Sequence, residues 1–152
     1  MDKVEFLIKV KEFEGFRSKA YKCPSGVLTI GYGHTHGVIA GMSITESFAT
    51  RLLLDDLDVV KSQLNTIHLY FSCMPFGFQY AIIDFVFNVG ISKYRRSILC
   101  KIVESVSHSD IFDDSCRQRI SVELQKWCFA KGKKLRGLEK RRNWECELLY
   151  ID

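Results

Sequence analysis

Glu14-Gly15-Phe16-Arg17-Ser18-Lys19-Ala20-Tyr21-Lys22-Cys23-Pro24-Ser25-Gly26-Val27-Leu28-Thr29-Ile30-Gly31-Tyr32-Gly33-His34 is the stretch over which the chain turns from helical to extended grammar. Upstream, Val4, Leu7, Ile8 and Lys11 fall near one face of a helical period, with Phe6, Val10 and Phe13 beside them and Asp2 placed to cap. A helix over 4–13 that stops at Gly15 is expected. Within the stretch, Pro24, Ser25 and Gly26 form a turn signal, and Val27 to Tyr32 is rich in β-branched and aromatic residues. A small hairpin or three-stranded sheet over 20–40 follows, with Gly26, Gly31, Gly33, Gly37 and Gly41 suited to tight turns and close backbone approach.

Beyond the stretch the pattern is helical. Thr45 opens a run in which Phe48, Leu52, Leu53, Leu57 and Val60 alternate with Asp55, Asp56, Asp58 and Lys61, enough for a helix of about five turns joining two lobes. From Pro75 the reading is helical almost throughout: Phe76 to Asn88, Ser97 to Ser105, Asp113 to Ala130, and Leu138 to about Leu149. Asn88 before Val89-Gly90 reads as a helix C-terminus, and Phe85, Phe87, Trp127, Phe129 and Trp144 lie at core spacing. The class is α+β, mostly helical, with the sheet confined to the first third.

At 152 residues and 47% hydrophobic, the chain is long enough to bury one real core, and it contains neither a linker nor a low-complexity segment. Its +4 net charge is concentrated between Lys126 and Arg142, where eight basic residues face one acidic residue. Such a face attracts nucleic acid, anionic lipid or an anionic cell wall alike. The six cysteines (Cys23, Cys73, Cys100, Cys116, Cys128, Cys146) lack the density of a disulfide scaffold and the spacing of a metal finger, so free thiols and no metal are expected. No run approaches the roughly 18 uncharged apolar residues of a membrane span, and no signal-peptide pattern opens the chain. Cytoplasmic synthesis without stable membrane insertion is therefore expected.

Glu14 stands at a helix end among Phe13, Gly15 and Phe16, where apolar neighbours disfavour the charged form of a carboxyl. Read alone, it is a surface carboxylate, Cys23 beside Pro24 is a small turn residue, and Thr29 is a strand residue. Together, Glu14, Cys23, Thr29 and the run Gly31-Tyr32-Gly33-His34 resemble the active-site segment of the phage lysozymes related to the T-even phage enzyme, glycoside hydrolase family 24. That family has a Glu, an Asp nine residues on and a Thr six further; Cys23 takes the place of the Asp. The resemblance continues through Thr45, Ala49, Leu52, Leu53 and Asp56, through Gln79 to Gly90 ending in Phe87-Asn88-Val89-Gly90, and through Gly137-Leu138, Arg141-Arg142 and Glu145.

The resemblance implies a two-lobed lysozyme fold in one domain over 1–152: a sheet-containing lobe at about 14–60, a helical lobe at about 65–152 joined by the N-terminal helix 2–13, and a cleft about Glu14. It implies hydrolysis of the β-1,4 bond between N-acetylmuramic acid and N-acetylglucosamine in bacterial peptidoglycan, with no cofactor. Glu14 is then the general acid, Cys23 the nucleophile or negative charge in place of the Asp, and Thr29 the holder of the attacking water. His34 is expected in a structural salt bridge with Asp56, and Arg141 and Arg142 beside Glu14 or nearby acids; His36, His68 and His108 suggest no partner. Partners follow: a peptidoglycan strand, no nucleic acid, a monomeric enzyme held in the host cytoplasm until a holin admits it to the wall in the periplasm. A catalytically inactive wall-binding module and a nucleic-acid binder are the rival readings, the second without any fingerprint.

Overall fold

The computed structural model describes residues 2–107, 112–130 and 132–151. Backbone contacts divide the chain into two compact units, residues 2–59 and 60–152.

The first unit opens with helix α1 (Lys3–Glu14). Asp2 accepts from the Val4 and Glu5 backbone N–H groups while Glu5 accepts from the Asp2 N–H, a reciprocal box that satisfies donors the first turn leaves open. Gly15 ends the helix at φ +70°, its N–H donating to the Lys11 carbonyl. The buried residues are Phe6 and Val10, whereas Val4 and Ile8 on the neighbouring face are exposed.

Strands β1 (Arg17–Lys22) and β2 (Leu28–Gly31) pair antiparallel, with Tyr21 opposite Thr29, Lys22 opposite Leu28, and a bulge before Arg17 meets Gly31. Ala20 N–H to the Met42 carbonyl (2.9 Å) and Ile44 N–H to the Ser18 carbonyl (2.8 Å) add a third edge. Helix α2 (Glu46–Ile67) then runs from the first unit into the second, burying Ala49, Leu53, Leu57 and Leu64 at helical spacing. A Cβ built on Gly31 would meet the Ala49 Cβ at 3.0 Å, so the end of β2 touches this helix only because the residue is glycine.

The second unit is built around helix α3 (Phe76–Val89), which is buried at Gly77 to Gln79 and again from Ala81 through Val86. The short helix α4 (Ile91–Arg95), then α5 (Ile98–Ser107), α6 (Asp114–Gln125) and α7 (Arg136–Leu148), follow in order. Aromatic contacts knit the core: Phe71 to Phe78 at 6.0 Å between ring centroids, and Phe85 edge-on to Tyr94 at 6.3 Å and Trp127 at 5.4 Å.

The expected α+β class with dominant helices holds, and four details differ. The helix expected to reach Ala130 stops at Gln125, where Lys126 and Trp127 bond back three residues to Glu123 and Leu124 and tighten the last turn. Instead, β3 (Phe129–Ala130) pairs antiparallel with β4 (Lys133–Lys134), so extended structure is not confined to the first third. Gly132 at φ +75° supplies the turn. Phe129, expected in the core, is exposed on β3, while Phe85 and Trp144 are buried as expected. Helix α4 was not anticipated; it starts at Gly90, whose φ of +88° also closes α3.

Candidate active site

Glu14 is the last residue of α1 and is half-buried. A Cβ added to Gly33 would stand 3.5 Å from the Glu14 Oε2, so the carboxylate lies over the Gly31-Tyr32-Gly33-His34 run. Gly33 has φ +96° and Gly31 φ +66°, conformations that bend the run around the carboxylate and that side-chain-bearing residues avoid. Buried Tyr32 anchors it: its hydroxyl donates to Glu46 Oε1 at 2.7 Å, Lys11 Nζ reaches the same oxygen at 3.2 Å, and the Lys11 ammonium sits 5.1 Å from the ring centroid. The hydrogen bond from Tyr32, then the Lys11 charge, hold the Glu46 carboxyl below the usual range. α1 and the start of α2 are thereby tied to the residue beside Gly33.

Cys23 begins the turn between β1 and β2. The Gly26 N–H donates to the Cys23 carbonyl at 2.8 Å, and the Cys23 N–H to the Val27 carbonyl at 2.9 Å. The Ser25 hydroxyl lies 2.9 Å from the Cys23 Sγ. That hydroxyl, with the backbone N–H groups of Ser25 and Val27 and the Thr29 side chain, lowers the thiol to about 7 against a small opposing effect of burial. Thr29 is buried, and its hydroxyl donates to the Val27 carbonyl at 3.1 Å. Glu14, Cys23 and Thr29 all belong to the first unit.

His34 and Asp56 pair as expected: Nδ1 lies 3.0 and 2.8 Å from the two Asp56 oxygens, and Nε2 lies 2.8 Å from the His36 carbonyl oxygen. Arg141 donates a fork to Asp84 at 2.8 and 2.7 Å, and Arg142 donates to Glu145 at 2.6 Å and to the Asn88 side chain at 3.1 Å. The Arg142 guanidinium also stands over Phe85, 4.8 Å from its centroid. Two pieces of sequence that looked like separate signatures thus meet, half-buried Asn88 of Phe87-Asn88-Val89-Gly90 accepting from buried Arg142, which also donates to Glu145. Burial, then the Asp84 carboxylate, push Glu145 well above the usual carboxylate range.

Sequence reasoning missed two groupings. Buried His68 is held by Glu104 at Nδ1 and by the Tyr94 hydroxyl at 2.8 Å from Nε2, with the Cys100 Sγ 3.9 Å away. Ser25 was read only as part of a turn; a hydroxyl two residues beyond a candidate thiol was the available signal. All six cysteines are free thiols, and no cluster among the described residues has the ligands to hold a metal ion. His108 lies outside the described residues.

Known proteins are similar to this chain in sequence and in fold. The family described as phage lysozyme matches residues 11–145. The endolysin of Acyrthosiphon pisum secondary endosymbiont phage 1 is 37% identical over 144 residues, covering 91% of this chain and 90% of its own. The SAR-endolysin of Bacteriophage PS119 is 37% identical over 134 residues, covering 87% and 73%. Among solved structures, the muramidase domain of SpmX from Asticaccaulis excentricus superposes with a TM-score of 0.80 at 25% identity, covering 97% of this chain and 96% of that one.

Proposed function

The chain belongs to the phage lysozyme family, a peptidoglycan-hydrolysing glycoside hydrolase family, and from that premise we propose that it cuts the β-1,4 bond from N-acetylmuramic acid to N-acetylglucosamine with Glu14 as general acid. The observation that carries the assignment is the Glu14 carboxylate lying over Gly33, in a run whose backbone only glycine adopts at two positions. A carboxyl on a helix end, half-buried and backed by Phe13 and Phe16, is suited to delivering a proton to a leaving glycosidic oxygen.

Cys23 takes the second role. A thiol down at about 7 carries substantial negative charge at neutral pH, as the missing Asp would, and stabilises an oxocarbenium-like transition state or attacks it. Thr29, on the strand opposite, holds the attacking water through its hydroxyl. No cofactor takes part in this scheme. The exposed basic residues Lys126, Lys133, Lys134, Arg136 and Lys140 favour approach to an anionic wall, while Arg141 and Arg142 of the same segment are buried. The enzyme works as a monomer, held in the host cytoplasm until a holin opens the inner membrane and then acting on the wall in the periplasm. Among the described residues, no helix is long and apolar enough to cross a membrane.

The test is mass analysis of muropeptides released from purified peptidoglycan by the protein and by Glu14→Gln, which keeps size and removes the proton. Reducing-end products from the wild type, and a loss of about a hundredfold or more in the variant, are expected. Anhydro ends would replace hydrolysis by transglycosylation, and a folded Glu14→Gln keeping a tenth of the activity would remove Glu14 from the role. Binding to peptidoglycan without any product at any pH would point to the inactive wall-binding module.

A further inference from the structure

Ser25 is exposed, carries no core contact and sits at the third position of the turn Cys23-Pro24-Ser25-Gly26. Nothing about turn formation requires a hydroxyl there: Pro24 presets the backbone, Gly26 supplies φ +84°, and the closing bond runs from the Gly26 N–H to the Cys23 carbonyl. Yet the Ser25 Oγ is folded back to 2.9 Å from the Cys23 Sγ, a close contact for sulfur and within hydrogen-bonding reach. A thiolate has no proton to give, so in that state the Ser25 hydroxyl is the donor.

We propose that Ser25 is a positioning residue for glycan cleavage, its hydroxyl holding the Cys23 sulfur in the charged thiolate form and fixing its direction; this rests on the reading of Cys23 as the stand-in for the second carboxylate. A hydrogen bond donated to the charged form of a group favours that form, and the effect on Cys23 is stronger from Ser25 than from any other neighbour. Weaker influences in the same direction come from the backbone of Ser25 and Val27 and from the Thr29 side chain. No charged side chain is among the leading influences on the sulfur, and its chain neighbours on β1, Tyr21 and Lys22, are exposed. Elsewhere cysteine activation commonly uses a nearby cation or a helix N-terminus. Here the turn supplies hydrogen bonds alone, with Ser25 as the replaceable one. The thiol's proton passes to water, since the sulfur is only partly buried.

The pH dependence of iodoacetamide alkylation at Cys23, followed on the Cys23 peptide by mass spectrometry to separate it from the other five cysteines, reads the thiolate directly. Ser25→Ala is expected to move that profile upward and to slow alkylation at pH 6.5 by about fivefold to tenfold, with Ser25→Thr restoring it. The acidic limb of muropeptide release is expected to move with the alkylation profile. An unchanged alkylation profile in a folded Ser25→Ala would overturn the role of Ser25 and leave Glu14 and Cys23 as they stand. An alkylation profile that moves while the activity profile does not would overturn the proposal through its premise, by showing that the thiolate takes no part in cleavage.

Discussion

Protonation of Cys23 makes the residue scale testable. With the thiol lowered to about 7, chiefly by Ser25, the thiolate is present above that pH and lost as pH falls through it. Muropeptide release should therefore show an acidic limb near neutrality, separate from any limb set by Glu14. Cys23→Asp should stay active and carry the limb down towards the carboxylate range, about 4. Cys23→Ala should cost about one to four orders of magnitude. An active Cys23→Ala with an unchanged pH profile would make the sulfur structural and leave Glu14 and Thr29 as the apparatus. At this scale Glu14, Cys23, Thr29 and the His34–Asp56 pair were all legible, because each stands at a fixed offset within a recognisable run. Ser25 was not, since a turn signal says which backbone forms and nothing about where a hydroxyl points. His68 was hidden for another reason: its partners Tyr94 and Glu104 come from distant helices, and no local pattern marks them.

Two glycines separate catalytic from structural need at the scale of elements. Gly33 lies at φ +96° beside the Glu14 carboxylate, whereas Gly77 starts α3 where an added Cβ would sit 2.1 Å from the Leu148 carbonyl oxygen and 2.3 Å from that of Ile151. Gly33→Ala strains its own turn and thereby displaces the run beneath Glu14, with which the new methyl would be in contact, so the expected result is a large loss of turnover with a smaller loss of stability. Gly77→Ala forces α3 off the C-terminal backbone, an overpacking change that should cost about 1–3 kcal/mol or more, with turnover per folded molecule near wild type. Urea midpoints alongside muropeptide assays distinguish the two; equal losses of stability in both would refute the contrast. Helix and strand positions followed well from periodicity and punctuation. The β3–β4 pair did not, because Trp127, Cys128 and Phe129 fit a helical apolar pattern and only backbone pairing around Gly132 shows that the chain has turned extended.

For the molecule as a whole, stability leans on the buried cluster joining α3 and α7. Arg141 donates two hydrogen bonds to Asp84 with almost no exposure, so Asp84→Asn takes a negative charge away from a buried guanidinium. Removing one partner of such a pair typically costs about 3–5 kcal/mol, because the remaining charge stays desolvated. A loss of that size in urea unfolding at pH 7 is expected, with partial recovery when Arg141 is also replaced by an apolar residue of similar volume. A loss below about 1 kcal/mol would mean that the cluster relaxes to solvent and does not hold the helices.

The amino-acid sequence by itself determined the α+β class, the capped first helix ending at Glu14, the active-site hairpin and the candidate acid, because these depend on backbone preferences and side-chain spacing over a few residues. Tertiary structure alone decided that Tyr32 is clamped by Glu46 and Lys11, that Arg142 meets Asn88, and that Arg141 meets Asp84. The physical reason is the same in each case. Hydrogen bonds and ion pairs of side chains depend on which surfaces packing brings within about 3 Å, and that distance is set by the folded chain rather than by separation along it.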